Sequence, residues 1–306
     1  CKVEILSPKG DYYNGTGSEI IETITADRVM VATGAKPREL PFAPCDQEVI
    51  VNSSKAMTLD EKPESVVVIG SGAIGMEFAY VYNAFGAEVT IVEMLDRILP
   101  LEDEEVSKHA LRAFKKQGMK IHTSSAVQSV DRNENGAIVT FTKDDKETSV
   151  QSQKVLIAIG VGPRTDGLFD DSLGLELHRG YIKTDAKESV QPTYATNIPG
   201  IYAVGDIIGP PLLAHVASEE AVTCVERMAG HHTLGVDYSS IPGCTYTNPQ
   251  VASIGKTEAQ LKDEGIEYTK GVYSLKAHGK AIAVGAADGF VKLLASKKYG
   301  EILGAH

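Results

Sequence analysis

The chain has 306 residues, 42% hydrophobic content and a formal net charge of −11. That length supplies two or more cores of ordinary domain size, and the acidic balance argues against nucleic acid or an anionic membrane as the main partner. No apolar run is long enough to cross a bilayer and no secretory signal opens the chain, so a cytoplasmic protein is expected.

The first residue is Cys1, followed at once by the strand-like Val3-Glu4-Ile5-Leu6. The expectation is a start inside a longer polypeptide. A lipidated N-terminal cysteine is the competing reading, which the lack of a polar tether disfavours. Cys1, Cys45, Cys224 and Cys244 are scattered and form no close pair, so no zinc site and no redox pair is expected within the chain.

Runs from Val3 to Leu6, Glu19 to Thr25 and Asp27 to Thr33 read as a β-meander followed by a buried strand, with turns at Pro8-Lys9-Gly10 and Asn14-Gly15-Thr16-Gly17. The last strand runs out through Thr33-Gly34-Ala35 before Pro37 and Pro41. Those small residues suit either a close-lying ligand or an ordinary strand exit. Residues from about Phe42 to Ser65 read as a polar connection into the next domain.

Val66-Val67-Val68-Ile69 then leads into Gly70-Ser71-Gly72-Ala73-Ile74-Gly75-Met76-Glu77. Four apolar residues in a row suit a strand buried on both faces, and Ile74, Phe78, Val81 and Phe85 recur at helical spacing. The spacing is that of a dinucleotide-binding turn. Gly70 permits the turn, Gly72 admits a pyrophosphate to the backbone, and Gly75 lets helix and strand approach, while the helix start offers unpaired N–H groups. Glu88 to Glu93 reads as the next strand, ending in an acid at the spacing that receives a ribose hydroxyl, which favours NAD over NADP although Arg97 follows closely. Glu77 reads as a solvated first-turn carboxylate.

Glu102, Asp103, Glu104 and Glu105 open a helix whose stripe is Val106, Ala110, Ala113 and Phe114; the acidic run reads as a solvated, dipole-matched start. Met119 to Thr123 makes a third strand. Val127 to Val130, Ala137 to Thr142 and Thr148 to Val150 form a meander around Asn135-Gly136, and Lys154 to Gly160 is again a buried strand. Gly200-Ile201-Tyr202-Ala203-Val204-Gly205-Asp206 is a strand ending in aspartate, where Asp206 reads as a turn residue slightly ahead of a ligand-holding one. A helix follows from Ala214 to Met228, with Ala217, Ala221, Cys224, Val225 and Met228 on one face; His215 near its start is ambiguous. From Tyr238 the texture is α+β: Thr245 to Thr247, Val251 to Ile254, a capping box at Thr257-Glu258-Ala259-Gln260, and strands at Val272 to Leu275, Val291 to Ala295 and Ile302 to Ala305. The chain stops directly after a strand, so the C-terminus is also expected to be cut.

In this order, the strand ending Ala32-Thr33-Gly34-Ala35, the Gly70 to Glu77 turn with Glu93, Ala158-Ile159-Gly160, Ala203-Val204-Gly205-Asp206 with Leu212-Leu213-Ala214-His215, and Thr245-Tyr246-Thr247-Asn248-Pro249 resemble the flavin-dependent pyridine-nucleotide disulfide oxidoreductases, most specifically their dihydrolipoamide-oxidising branch. The resemblance covers essentially the whole chain. It implies a Rossmann-like α/β flavoprotein with two dinucleotide domains and a C-terminal α+β dimerisation domain, divided as residues 1–45 and 164–236 (FAD), 46–163 (NAD) and 237–306 (dimerisation, incomplete).

On this resemblance, NAD would be held by Gly70, Gly72, Ala73, Ile74, Gly75, Glu77, Glu93, Val127 and Gly160, with Glu77 near the nicotinamide. FAD would be held by Thr33, Gly34, Ala35, Asp206, Leu212, Leu213, Ala214 and His215, with Asp206 on the ribityl chain and the helix start facing the ring. Electrons would pass from dihydrolipoamide through a disulfide and FAD to NAD. The redox cysteines and the base histidine would lie outside these residues, so no catalytic residue is assigned within them. The implied partners are a second copy, forming a homodimer, and the lipoyl domains of a 2-oxo acid dehydrogenase or glycine cleavage complex. Val161-Gly162-Pro163-Arg164 departs from the family's usual pattern and loosens the local NAD contacts. The alternatives are another flavin disulfide reductase, acting on glutathione, mercury or oxygen, and a non-catalytic NAD-binding fragment.

Overall fold

A computed structural model describes residues 1–7 and 19–306; the turns expected at Pro8-Lys9-Gly10 and Asn14-Gly15-Thr16-Gly17 lie outside the described residues. The chain forms two compact units, Cys1–Lys36 with Val161–Tyr238, and Pro37–Gly160 with Ser239–His306.

In the second unit, Ser65–Ile69 is the middle strand of a five-stranded parallel sheet in the order Ile50–Asn52, Lys154–Ile157, Ser65–Ile69, Glu88–Val92, Lys120–His122. Because strand side chains alternate between faces, its valines serve two cores. Val66 and Val68 pack with Met76, Ile91 and Phe114 on the side of the helices. Val67 and Ile69 pack with Val139 and Phe141 from an antiparallel sheet of Ala126–Asn133, Gly136–Lys143 and Lys146–Ser152. Burial on both faces is what the unbroken apolar run requires.

Two expectations for this unit are corrected. The segment read as a polar connection contains the edge strand Ile50–Asn52, with Ile50 and Val51 buried. Its apolar run is only Val49-Ile50-Val51, too short to stand out among polar neighbours. In the helix Ala73–Ala84 the buried residues are Gly75, Met76, Ala79 and Tyr82, while Val81 and Phe85 are exposed. The glycine turn fixes the rotation of this helix, because Gly75 must face the strand, and that sets Met76 and Ala79 inward.

The same unit carries a second five-stranded sheet, antiparallel, in the order Gly243–Thr245, Val251–Gly255, Ile302–Ala305, Phe290–Ser296, Tyr268–Ser274. The capping box at Thr257 is formed and starts the helix Glu258–Asp263. Along Phe290–Ser296 the buried positions are Lys292, Leu294 and Ser296, a period of two that places a lysine on the inner face.

In the first unit, Lys2–Leu6 pairs antiparallel with Ile20–Thr25, and Val29–Val31 pairs in parallel with Ile201–Ala203. The strand expected to be buried is only partly so, since Met30 is exposed. After Ala203 the chain makes a tight turn, Gly205–Ile208, and enters the helix Ala214–Met228. That helix buries Val216, Glu220, Thr223 and Cys224 and leaves Val225 exposed, so its inner face is rotated from the apolar stripe read in the sequence. A buried glutamate accounts for the shift, because an acidic residue is discounted in any hydrophobic pattern.

Candidate functional site

The glycine turn is shaped by three different steric demands. Gly70 has a φ of +99°, and a Cβ there would lie 2.4 Å from the Ala158 carbonyl oxygen. A Cβ on Gly75 would lie 2.1 Å from the Gly70 carbonyl oxygen, so helix and turn touch through backbone alone. At Gly72 a Cβ would meet nothing within 4 Å. The first two glycines are required by the fold, and the third is required only by whatever approaches the turn from outside. Gly72 is also the residue that caps the helix Ala73–Ala84, and no side-chain cap bond is made there among the described residues. Unpaired N–H groups, the positive end of a 12-residue helix and open space form a cradle for a pyrophosphate.

Glu93 follows the neighbouring strand Glu88–Val92 and is 7% exposed. One of its oxygens accepts the backbone N–H and the hydroxyl of Ser71, each at 2.7 Å; the other accepts the Leu95 N–H at 2.8 Å. The acid expected to receive a ribose therefore also locks the turn, and its second oxygen keeps a lone pair for a hydroxyl donor. A phosphate at that position would meet a fixed carboxylate. Arg97 is turned toward its own loop, donating Nη2 to the Pro100 carbonyl at 3.2 Å. Leu99 donates its N–H to the Ser71 carbonyl at 2.8 Å with a φ of +46°, a conformation that costs a branched side chain about 1 kcal/mol and is held here by contacts on both its backbone groups.

The remaining expected nucleotide residues surround this centre unevenly. Ala73 and Ile74 form the first turn of the helix. Gly160 lies two residues beyond Ala158, whose N–H bonds Ile69 O at 2.8 Å; its φ is +95° and the space a Cβ would take is open. Val127 packs at the edge of the core that also includes Ile159. Glu77 is not simply solvated: its Oε1 accepts the backbone N–H of Tyr246 at 2.7 Å, which ties the helix to the C-terminal segment.

The acidic run at Glu102 to Glu105 is likewise corrected. Asp103 caps the helix Glu104–Lys116 by accepting the Glu105 N–H, and it is 2% exposed. The fully buried Lys292 reaches it at 2.7 Å. Lys292 also bonds Glu258 and lies 3.6 Å from Glu105, so its ammonium sits among three carboxylates whose oxygens lie within 4.8 Å of one another.

In the first unit, Thr33 and Gly34 meet Arg164. Thr33 Oγ1 donates to the Arg164 carbonyl at 3.2 Å, and the Arg164 N–H donates to the Gly34 carbonyl at 3.0 Å. Gly34 has a φ of +74° with open space where a Cβ would be, and Ala35 begins the next short strand. Asp206 lies in the turn after Ala203, and burial raises its carboxyl above the usual range. Leu213 caps the helix Ala214–Met228 with no side-chain bond; Leu212 leads into it and His215 is exposed in its first turn. A half-buried carboxylate beside an uncapped helix start suits a polyhydroxyl chain attached to an electron-accepting ring.

Residues absent from the sequence reading complete this second site. Glu220, 2% exposed, accepts the Gly205 N–H at 2.6 Å and the Tyr238 hydroxyl at 2.7 Å, pinning the backbone next to Asp206. The signal was present in position only: Glu220 lies four residues from both Val216 and Cys224, on their face. For Leu99 and Tyr246 no comparable signal exists, because backbone groups carry their contacts. Lys292 could have been found from its alternation with Leu294.

Known proteins resemble the chain along nearly its whole length. The family described as pyridine nucleotide-disulphide oxidoreductase matches residues 3–221, and its dimerisation domain matches residues 241–306. A dihydrolipoyl dehydrogenase of Rhizobium etli is 42% identical over 290 residues, covering 93% of this chain and 58% of its own length. One from Zymomonas mobilis is 40% identical, covering all of this chain and 66% of its own. The crystal structure of LpdA from Mycobacterium tuberculosis superposes with a TM-score of 0.83 at 29% identity, over 95% of this chain and 62% of that one. The chain thus spans about three fifths of the length of such relatives. Two matching regions that together take in nearly all of it are sufficient to place it: the chain belongs to the pyridine nucleotide-disulphide oxidoreductase family.

Proposed function

We propose that the chain supplies the NAD-binding region, the flavin-contacting residues and part of the dimerisation region of a flavin-dependent dihydrolipoyl dehydrogenase. The observation that carries the reading is the turn at Gly70 to Gly75, open at Gly72 and braced by Glu93, in a chain about 40% identical to relatives of that name. FAD and NAD, when bound, supply the electron relay and the hydride acceptor of the reaction. The chain's own residues bind and orient. Gly70, whose own N–H is taken by the Val92 carbonyl, makes the turn that lets Gly72, Ala73, Ile74 and Gly75 present backbone N–H groups to the pyrophosphate, Glu93 receives the ribose and excludes a 2′-phosphate, and Glu77, Val127 and Gly160 border the nicotinamide end. Thr33, Gly34 and Ala35 line the flavin, Asp206 holds its ribityl hydroxyls, and Leu212, Leu213, Ala214 and His215 present the helix start to the ring, where positive potential favours the reduced, anionic form.

The division at residues 45, 163 and 236 and a homodimer docking lipoyl domains in the cytoplasm belong to the same proposal; no helix among the described residues is long and apolar enough to cross a membrane. The test is the complete polypeptide. It should reduce NAD with dihydrolipoamide; reduction of glutathione disulfide with NADPH, with no activity toward dihydrolipoamide, would overturn the reading.

A further inference from the structure

We propose that Lys292, in the C-terminal segment, is a positioning residue for the nucleotide site, acting through Asp103 and the loop that closes over the glycine turn. The proposal rests on the reading of Gly70 to Glu93 as that site.

The observation is an unbroken chain of short contacts. Lys292 Nζ bonds Asp103 Oδ1 at 2.7 Å, and the same carboxylate accepts the Glu105 N–H at 3.0 Å and the Glu258 N–H at 3.2 Å, so it caps one helix and holds the first residue of another. The Asp103 carbonyl accepts the Ser107 N–H at 3.0 Å, and the Ser107 hydroxyl donates to the Leu99 carbonyl at 3.1 Å. Leu99 in turn donates to the Ser71 carbonyl at 2.8 Å, and Ser71 is the residue locked to Glu93. Lys292, Asp103, Ser107, Leu99 and Ser71 are each no more than 3% exposed.

Burial decides what this chain does. A buried ion cluster repays its desolvation poorly in stability when compared with an apolar cluster of the same volume, although removing the lysine alone strands its carboxylates. The placement of the ammonium between helices from the two halves of the unit is what a hydrophobic side chain could not reproduce: a fixed carboxylate orientation at the helix start. Leu99 gives that orientation its consequence. Its left-handed backbone is strained and is held by Ser71, which accepts its N–H, and by the Glu102 N–H and the Ser107 hydroxyl, which donate to its carbonyl from the start of the next helix. Releasing the helix start lets Leu99 relax, and Ser71 and Glu93 lose one side of their support. Sub-ångström displacement there moves the pyrophosphate cradle relative to the ribose acceptor.

The experiment is NADH binding to the 306-residue chain, read by fluorescence well below each variant's unfolding transition, with kcat and the KM for NAD measured on the complete polypeptide. Lys292→Met and Ser107→Ala are compared; the second removes one hydroxyl contact and leaves the charges in place. Both should weaken NADH binding, by about tenfold and about threefold, and raise the KM for NAD while leaving the KM for dihydrolipoamide unchanged. Lys292→Arg should recover part of the affinity. A merely structural role lowers the unfolding temperature without altering affinity. NADH affinity within twofold of the unaltered chain for Ser107→Ala, or for a folded Lys292→Met, would overturn the proposal while leaving the nucleotide site intact. Failure of the unaltered chain to bind NADH would remove both.

Discussion

Ser71 donates its backbone N–H and its hydroxyl to the same oxygen of Glu93, each at 2.7 Å, in a site that water does not reach from Ser71. One carboxylate thereby fixes the residue between the first two glycines. Ser71→Ala removes one of these bonds and leaves the other, so we expect a loss of about 1 kcal/mol in stability and a small loss of NADH affinity. Glu93→Gln places an amide among three donors. It should cost about 2 kcal/mol and weaken NADH binding more than Ser71→Ala does. Chemical denaturation and NADH titration of the pair check the order; equal effects would show that the charge of Glu93 is unimportant.

Gly72 and Gly75 separate folding from binding. Alanine at Gly75 forces its Cβ against the Gly70 carbonyl, so stability should fall by about 2 kcal/mol or more and NADH binding should be lost with it. Alanine at Gly72 meets no protein atom, and the residue's φ of −67° suits any side chain. Gly72→Ala should unfold within a degree or two of the unaltered chain, yet bind NADH at least tenfold more weakly because the methyl occupies the approach of the pyrophosphate. Unchanged binding in Gly72→Ala would place the ligand elsewhere.

The Lys292 cluster sets a pH window for stability. Burial alone would raise the Glu258 carboxyl, but hydrogen bonds from Lys292, Tyr268 and Lys270 outweigh it and hold it at about 2, against 4.5 for an unperturbed glutamate. Asp103 is also held below its usual range, burial again being opposed by Lys292 and by two backbone N–H groups. Both folded-state values are depressed, so this stabilisation is complete above about pH 5 and is lost as pH falls toward 2. Lys292 is shifted upward, because the bonds it donates to Asp103 and Glu258 overcome its burial, and its share is lost only as pH rises above about 10. Lys292→Met should cost about 3 kcal/mol at pH 7, with the gap from the unaltered chain narrowing between pH 4.5 and 2. Urea midpoints across that range check this; a constant gap would contradict it.

The four cysteines divide by exposure. Burial, then the nearby charges of Glu39 and Asp46, push the Cys45 thiol up to about 12, and burial with Asp185 pushes Cys224 to about 11. Cys1 and Cys244 are exposed. A thiol reagent at pH 8 should label two cysteines quickly and the other two only on unfolding. Four fast thiols would show that the first-unit and second-unit cores around Cys224 and Cys45 open readily.

What the sequence revealed followed the strength of local signals. The run Val66 to Ile69, the spacing of Gly70, Gly72 and Gly75, the capping box at Thr257 and the bounds of the helix Ala214–Met228 were legible because each is set by neighbours in the chain. Helix faces were not. Tyr82 and Glu220 point inward and Val81 and Val225 outward, because tertiary contacts fix helix rotation and hydropathy does not. The role of Asp103 was hidden for a related reason: its partner Lys292 lies 189 residues away, and an acidic helix start looks the same whether it meets water or a buried lysine.

The most direct measurement of the central claim is a titration of the 306-residue chain with NADH and, separately, with NADPH. One NADH should bind per chain in the micromolar range, at least tenfold more tightly than NADPH, because the 2′-phosphate would face the fixed carboxylate of Glu93. No binding of NADH, or tighter binding of NADPH, would contradict the account.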